Sequence, residues 1–191
     1  MRSIFRGTVA LASLALLLAL PFGAGAKGSK DEGRAEVRNV AHETLAKLYQ
    51  TQPAAQHAVE GAAGYAVFSN FGMKIFLVGG GKGEGVAVNN KNKKETFMKM
   101  AEVQAGLGIG IKKFRLIWVF ETRKAFDHFV HSGWELGTQA TAAAQAGDKG
   151  AAYQGAIPIA TGVWLYQLTD NGLALELTVK GTKYYKDKKL N

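Results

Sequence analysis

The sequence predicts an α+β domain, mainly antiparallel β: a small or flattened barrel-like sheet with N-terminal helices and one internal helix. Three observations carry that prediction. Residues alternate at period two around Asp170-Asn171-Gly172. Glycine recurs at period two at Gly79, Gly81, Gly83 and Gly85, and again at Gly106, Gly108 and Gly110. Apolar residues recur at three and four between Ala35 and Tyr49, and once more between Ala125 and Val130.

The chain begins with Arg2 and Arg6, runs apolar from Val9 to Leu20 and reaches Ala24-Gly25-Ala26. A basic start, a short apolar middle and a small-x-small end describe a secretory signal peptide cut after Ala26, with an uncleaved anchor as the alternative. The apolar run is shorter than the roughly 20 residues of a membrane span. There is no cysteine, which excludes disulfides, thiol chemistry and a lipid on a cysteine. Loss of the two leader arginines lowers the formal net charge from +9 to +7. An exported cationic domain favours anionic partners: lipid headgroups, acidic polysaccharide or nucleic acid.

Residues 27–34 read as a flexible lead and 35–191 as a single domain. Val37, Val40, Ala41, Leu45, Leu48 and Tyr49 form a helical stripe that either packs on the domain or lies on a membrane. Pro53 opens a short second helix. Gly64 to Phe68 is a strand, 69–72 a turn, and Lys74 to Val88 one or two further strands. Asn89 to Lys94 is a polar turn, Glu95 to Ile111 returns to extended structure, and Arg115 to Phe120 fits a buried strand. Thr122 caps the internal helix, whose face is Ala125, Phe126, Phe129 and Val130, and Ser132-Gly133 ends it. Trp134 to Gln145 is a strand and 148–153 a loop. Strands on either side of Asp170-Asn171-Gly172 then form a hairpin.

Glycines and Lys82 suggest a phosphate loop between Leu77 and Val88, but the spacing rejects it. Lys82 is followed by Gly83 and Glu84 rather than Ser or Thr, and no third glycine completes a dinucleotide fingerprint. Glycine at period two instead implies a strand face without room for side chains, as in tight curvature or a close second layer, or else a groove where a lipid chain or headgroup approaches bare backbone. Lys82 and Glu84 point to the opposite face, as a charge pair or a ligand contact. His128 and His131 stand three apart, but no further metal ligands can be placed. No serine lies in a nucleophile elbow and no carboxylate pair stands out, so no enzyme and no cofactor are expected.

Gly64–Phe68, Val78–Val86 (VGGGKGEGV), Gln104–Gly108, Leu116–Phe120 and Ser132–Gly137 (SGWELG) occur in an order that resembles the SYLF lipid-binding domain family. The resemblance covers about Ala54 to Val179. It implies phospholipid binding, with phosphoinositides the ligands of eukaryotic members and an actin-related role in fungi. It supplies no catalytic residues, and the missing cysteine departs from lipoprotein relatives. The expectation is therefore an exported, non-enzymatic, peripheral periplasmic protein on an anionic phospholipid membrane surface, with no nucleic-acid partner. The contacts would be Lys82, Lys112, Lys113 and Arg115, and in the basic tail Lys183, Lys186, Lys188 and Lys189, aided by the amphipathic helix or the barrel surface. The alternatives are an envelope structural or protein-interaction module, and a periplasmic carrier of a hydrophobic ligand.

Overall fold

The structure, a computed structural model, describes residues 25–75, 78–105, 110–136, 151–174 and 181–191. Helix α1 (Gly25–Thr51) and helix α2 (Ala54–Gly61) lead into four long antiparallel strands: β1 (Gly64–Ile75), β2 (Val78–Asn89), β3 (Glu95–Ala105) and β4 (Gly110–Phe120). Helix α3 (Arg123–Ser132), strand β5 (Trp134–Leu136), a 3-10 turn at Ala151–Tyr153, and strands β6 (Ile157–Ala160), β7 (Val163–Thr169), β8 (Gly172–Ala174) and β9 (Thr182–Lys186) follow. The strands pair in the order β5-β9-β3-β2-β1-β4-β7-β6, with β8 beside β7.

Strict alternation splits the core in two. Ala66, Phe68, Met98, Leu116, Trp118 and Phe120 face one side of the sheet, where Phe126, Phe129 and Val130 of α3 join them. Val67, Val86, Phe97, Ile117 and Val119 face the other, beneath α1 and α2. The sheet curls into a half-barrel around the first side. Trp118 on β4 and Trp134 on β5 show it: five strand spacings, roughly 24 Å on a flat sheet, separate two rings whose centroids lie 6.0 Å apart.

Glycine permits the curl where it is needed. A Cβ on Gly83 would lie 2.6 Å from Met100 Cγ and press on the Ser69 carbonyl. One on Gly85 would lie 2.7 Å from Phe68 Cγ and collide with the Val67 carbonyl. The period-two face without room for side chains is therefore found at these two positions; Gly106 and Gly108 lie outside the described residues.

Several elements differ from the sequence expectation. Residues 69–72 do not turn: β1 runs straight through them, paired in register with β2 and β4 on both sides. The lead 27–34 belongs to α1, because the other end of the chain holds it. Lys30 Nζ donates to the Asn191 carbonyl at 2.5 Å, Arg34 Nε donates to that of Leu190 at 2.6 Å, and Leu190 lies against Gly33. The tail is likewise not free. Residues 182–186 form β9, Asp187 is buried, and the Asn191 side chain bonds both the N–H and the carbonyl of Phe97. Of the strand expected over 134–145 the first three residues form β5, and the rest lies outside the described residues, as does 175–180 of the final hairpin.

Other expectations hold locally. Thr122 Oγ1 accepts from the Ala125 N–H at 3.2 Å, and Gly133, at φ 75°, closes α3 by donating to the Phe129 carbonyl. The hairpin turns within the expected Asp170-Asn171-Gly172: Thr169 pairs with Gly172, so Asp170 and Asn171 make the turn and Gly172 opens β8.

Candidate functional site: a charged groove beside the first helix

α1 covers only part of the convex face. Its stripe Val37, Ala41, Leu45 and Leu48 is at most 8% exposed and packs on Val67, Val86, Phe97 and Ile117. Burying each of Val37, Leu45 and Leu48 stabilises the fold by about 1.5–3 kcal/mol. The face expected to insert into a membrane is thus used to cover the sheet. Arg38 ties the helix down further, donating to both Glu95 oxygens at 2.7–3.0 Å while lying 5.3 Å from the Phe97 ring centre.

Beyond this footprint and that of α2, the described residues leave part of the convex face open. A groove of about 550 Å3 runs between α1 and the sheet, with Val37, Val40, Ala41 and Val67 as apolar wall and Glu36, Lys82, Glu84 and Lys99 among its charged groups. The register decides which cations meet here. Lys82 on β2 stands opposite Ala101 on β3, and Ala101 stands opposite Lys183 on β9. Two exposed lysines therefore flank one small residue on one face. Phe71 and Lys113 extend the same row of backbone pairs on the other side of Lys82. In the next row of this face stand Arg115, Ser69, Glu84, Lys99 and Tyr185.

The expected site residues accordingly separate. Lys82 lines the groove, and Lys183, outside its lining, stands two strands away in the same row, opposite Glu135 of β5. Arg115 stands one row nearer the helices and is engaged with Glu43 of α1 at 3.7 Å. Lys112 and Lys113 lie on β4 opposite Gly72 and Phe71. Lys186 shares the parity of Tyr184 and so leaves β9 on the side away from Lys183. Lys188 and Lys189 are exposed in the terminal turn, where the Lys189 N–H donates to Asp187 Oδ1 at 2.7 Å.

Glu36 and Lys99 are groove residues that sequence reasoning missed. The alternation of Phe97 and Lys99 on β3 held a signal for the lysine, but nothing local ties Glu36 to a sheet far along the chain. Among the described residues no group of three or more His, Asp or Glu side chains is placed to hold a metal ion, and no helix is long and apolar enough to cross a membrane. His131 Nδ1 lies 2.8 Å from the Asp127 carbonyl of its own helix.

A curled antiparallel sheet, covered by helices and carrying a charged groove outside, defines the class: a compact α+β module of a half-barrel type. Residues 101–191 match the family model Ysc84, described as Las17-binding protein actin regulator, which is the SYLF family of the expected resemblance. The chain is also similar to beta cell expansion factor A of Aeromonas veronii, 35% identical over 161 residues that make up 83% of this chain and 59% of the relative. The chain thus spans 59% of that relative's length.

Proposed function

We propose that the protein is an exported, non-enzymatic phospholipid-binding module that docks on an anionic membrane surface at the cell envelope through the open part of its convex face. The observation that carries this reading is the placement of Lys82 and Lys183 on either side of Ala101 in one row, with Lys82 lining a groove that has an apolar wall. Two ammonium groups over a small residue suit a phosphate. Val37, Val40 and Ala41 suit the ester and upper chain region just beneath it. The formal net charge, +9 for the chain and +7 without the two leader arginines, draws the molecule to such a surface, where each basic group gains roughly 1 kcal/mol. Export rests on the leader, and the lipid class on the family resemblance. α1 stays docked in this mode, since its apolar stripe is already covered.

Vesicle co-sedimentation tests it. Bound fraction should rise with anionic lipid content and fall as salt goes from about 0.05 to 0.5 M. Lys82→Ala with Lys183→Ala should weaken binding by about tenfold or more. Absence of binding to anionic vesicles at low salt overturns the proposal.

A second reading is favoured by the family's description, which names a protein partner. Tyr185, 42% exposed beside the groove, is a residue type enriched at protein interfaces. That reading expects salt-insensitive capture of a protein and no preference among lipids.

A further inference from the structure

We propose that the groove selects a headgroup carrying both a phosphate and a primary ammonium, the phosphoethanolamine class; this rests on the reading above that the groove takes a phospholipid. The charge pattern of the lining points there. Glu84 stands directly opposite Lys99 across the β2–β3 ladder, where opposite charges ordinarily pair. They do not pair here. Lys99 Nζ lies 3.1 Å from Asp187 Oδ2, a carboxylate only 3% exposed, so its charge is committed to the terminal turn. Glu84 is left exposed without an ion pair among the described residues, and so is Glu36 on the α1 wall.

The groove therefore has two ends of opposite sign. Lys82 makes the cationic end, with Lys183 further along the same row beyond Ala101. Glu84, two residues from Lys82 on the same face of β2 and so about 7 Å along the strand, makes the anionic end together with Glu36. A headgroup with phosphate alone would seat beside two carboxylates and meet repulsion. A primary ammonium donates up to three hydrogen bonds, which unpaired carboxylates accept. A quaternary ammonium donates none and is held by aromatic faces; Tyr185 is the aromatic residue lining this groove.

The experiment compares binding of the full chain to vesicles with a fixed fraction of phosphatidylglycerol in either phosphatidylethanolamine or phosphatidylcholine. Binding should be about tenfold tighter in the ethanolamine host. Glu36→Gln with Glu84→Gln should remove the preference while keeping salt-sensitive binding, which separates headgroup recognition from looser packing of ethanolamine lipids. Both positions are exposed, and Glu84→Lys serves as a second variant should the pair fold poorly. Soluble O-phosphoethanolamine should displace the protein from vesicles where equal inorganic phosphate does not. Equal binding in the two hosts, a preference that survives in the glutamine variant, or equal competition by phosphate overturns the inference and leaves the membrane reading standing. No binding to any anionic vesicle overturns both.

Discussion

The Trp118 and Tyr184 rings meet edge to face, with centroids 5.0 Å apart, although their strands β4 and β9 are separated by β1, β2 and β3. On a flat sheet four strand spacings would put them roughly 19 Å apart. The contact is the closure of the half-barrel, and Phe129 of α3 fills the angle, 5.3 Å from Trp118 and 5.6 Å from Tyr184. Trp118→Ala should therefore cost about 3–5 kcal/mol in urea unfolding. Trp118→Phe should cost clearly less, because the buried indole N–H has no hydrogen-bond partner among the described residues.

Gly83→Ala and Gly85→Ala should each destabilise by about 1–3 kcal/mol, since the new methyl presses on a backbone carbonyl and on Met100 or Phe68. Gly61→Ala provides the contrast. It ends α2 and has nothing within 4 Å of a built Cβ, so alanine there should be neutral or stabilise by up to about 1 kcal/mol. Thermal midpoints of the three variants test whether space, rather than glycine content, explains the sequence.

The cap of α3 should be separable from the sheet. Thr122→Ala removes the acceptor for the Ala125 N–H and should cost about 0.5–2 kcal/mol, whereas Thr122→Asp should retain most of the stability. Urea midpoints of the two variants distinguish a cap from bulk packing.

The alkaline limit of the fold should be set by buried phenols. Burial pushes the Tyr166 hydroxyl up to about 12 and also raises those of Tyr49, Tyr65 and Tyr153. An unfolded phenol titrates near pH 10 (about 10). Above that value the unfolded chain has released protons that the folded chain still holds, so stability is complete below about pH 10 and falls as pH rises toward 12. Urea midpoints between about pH 9 and 11.5 should decline, and Tyr166→Phe should flatten the decline. A midpoint indifferent to pH over that range would contradict the burial of these groups.

The C-terminal clasp should stabilise α1 from a distance. Asn191→Ala removes bonds to the Phe97 N–H and to the carbonyls of Phe97 and Asp187, and should cost about 1–3 kcal/mol. Amide exchange should quicken in residues 27–34 before the sheet, because Lys30 and Arg34 bind the carbonyls of this turn.

Much of the local structure was legible in the sequence because it depends on neighbours a few residues away. Period three and four marked α1 and α3, period two marked the strands, Thr122 and Gly133 bounded α3, and Asp170-Asn171-Gly172 marked its turn. Lack of side-chain room at Gly83 and Gly85 was legible too, since glycine repeated on one face of a strand points first to crowding. Tertiary structure decided the rest. Residues 27–34 are polar and glycine-containing, and they become helix because the other end of the chain binds them. Residues 69–72 resemble a turn and stay extended because strands on both sides satisfy their backbone. Eight basic residues looked alike as membrane contacts, yet only register puts Lys82 and Lys183 in one row of one face and turns Lys186 away. Register is set by long-range pairing, which no local pattern encodes, and a one-residue slip would carry each of these lysines to the other face.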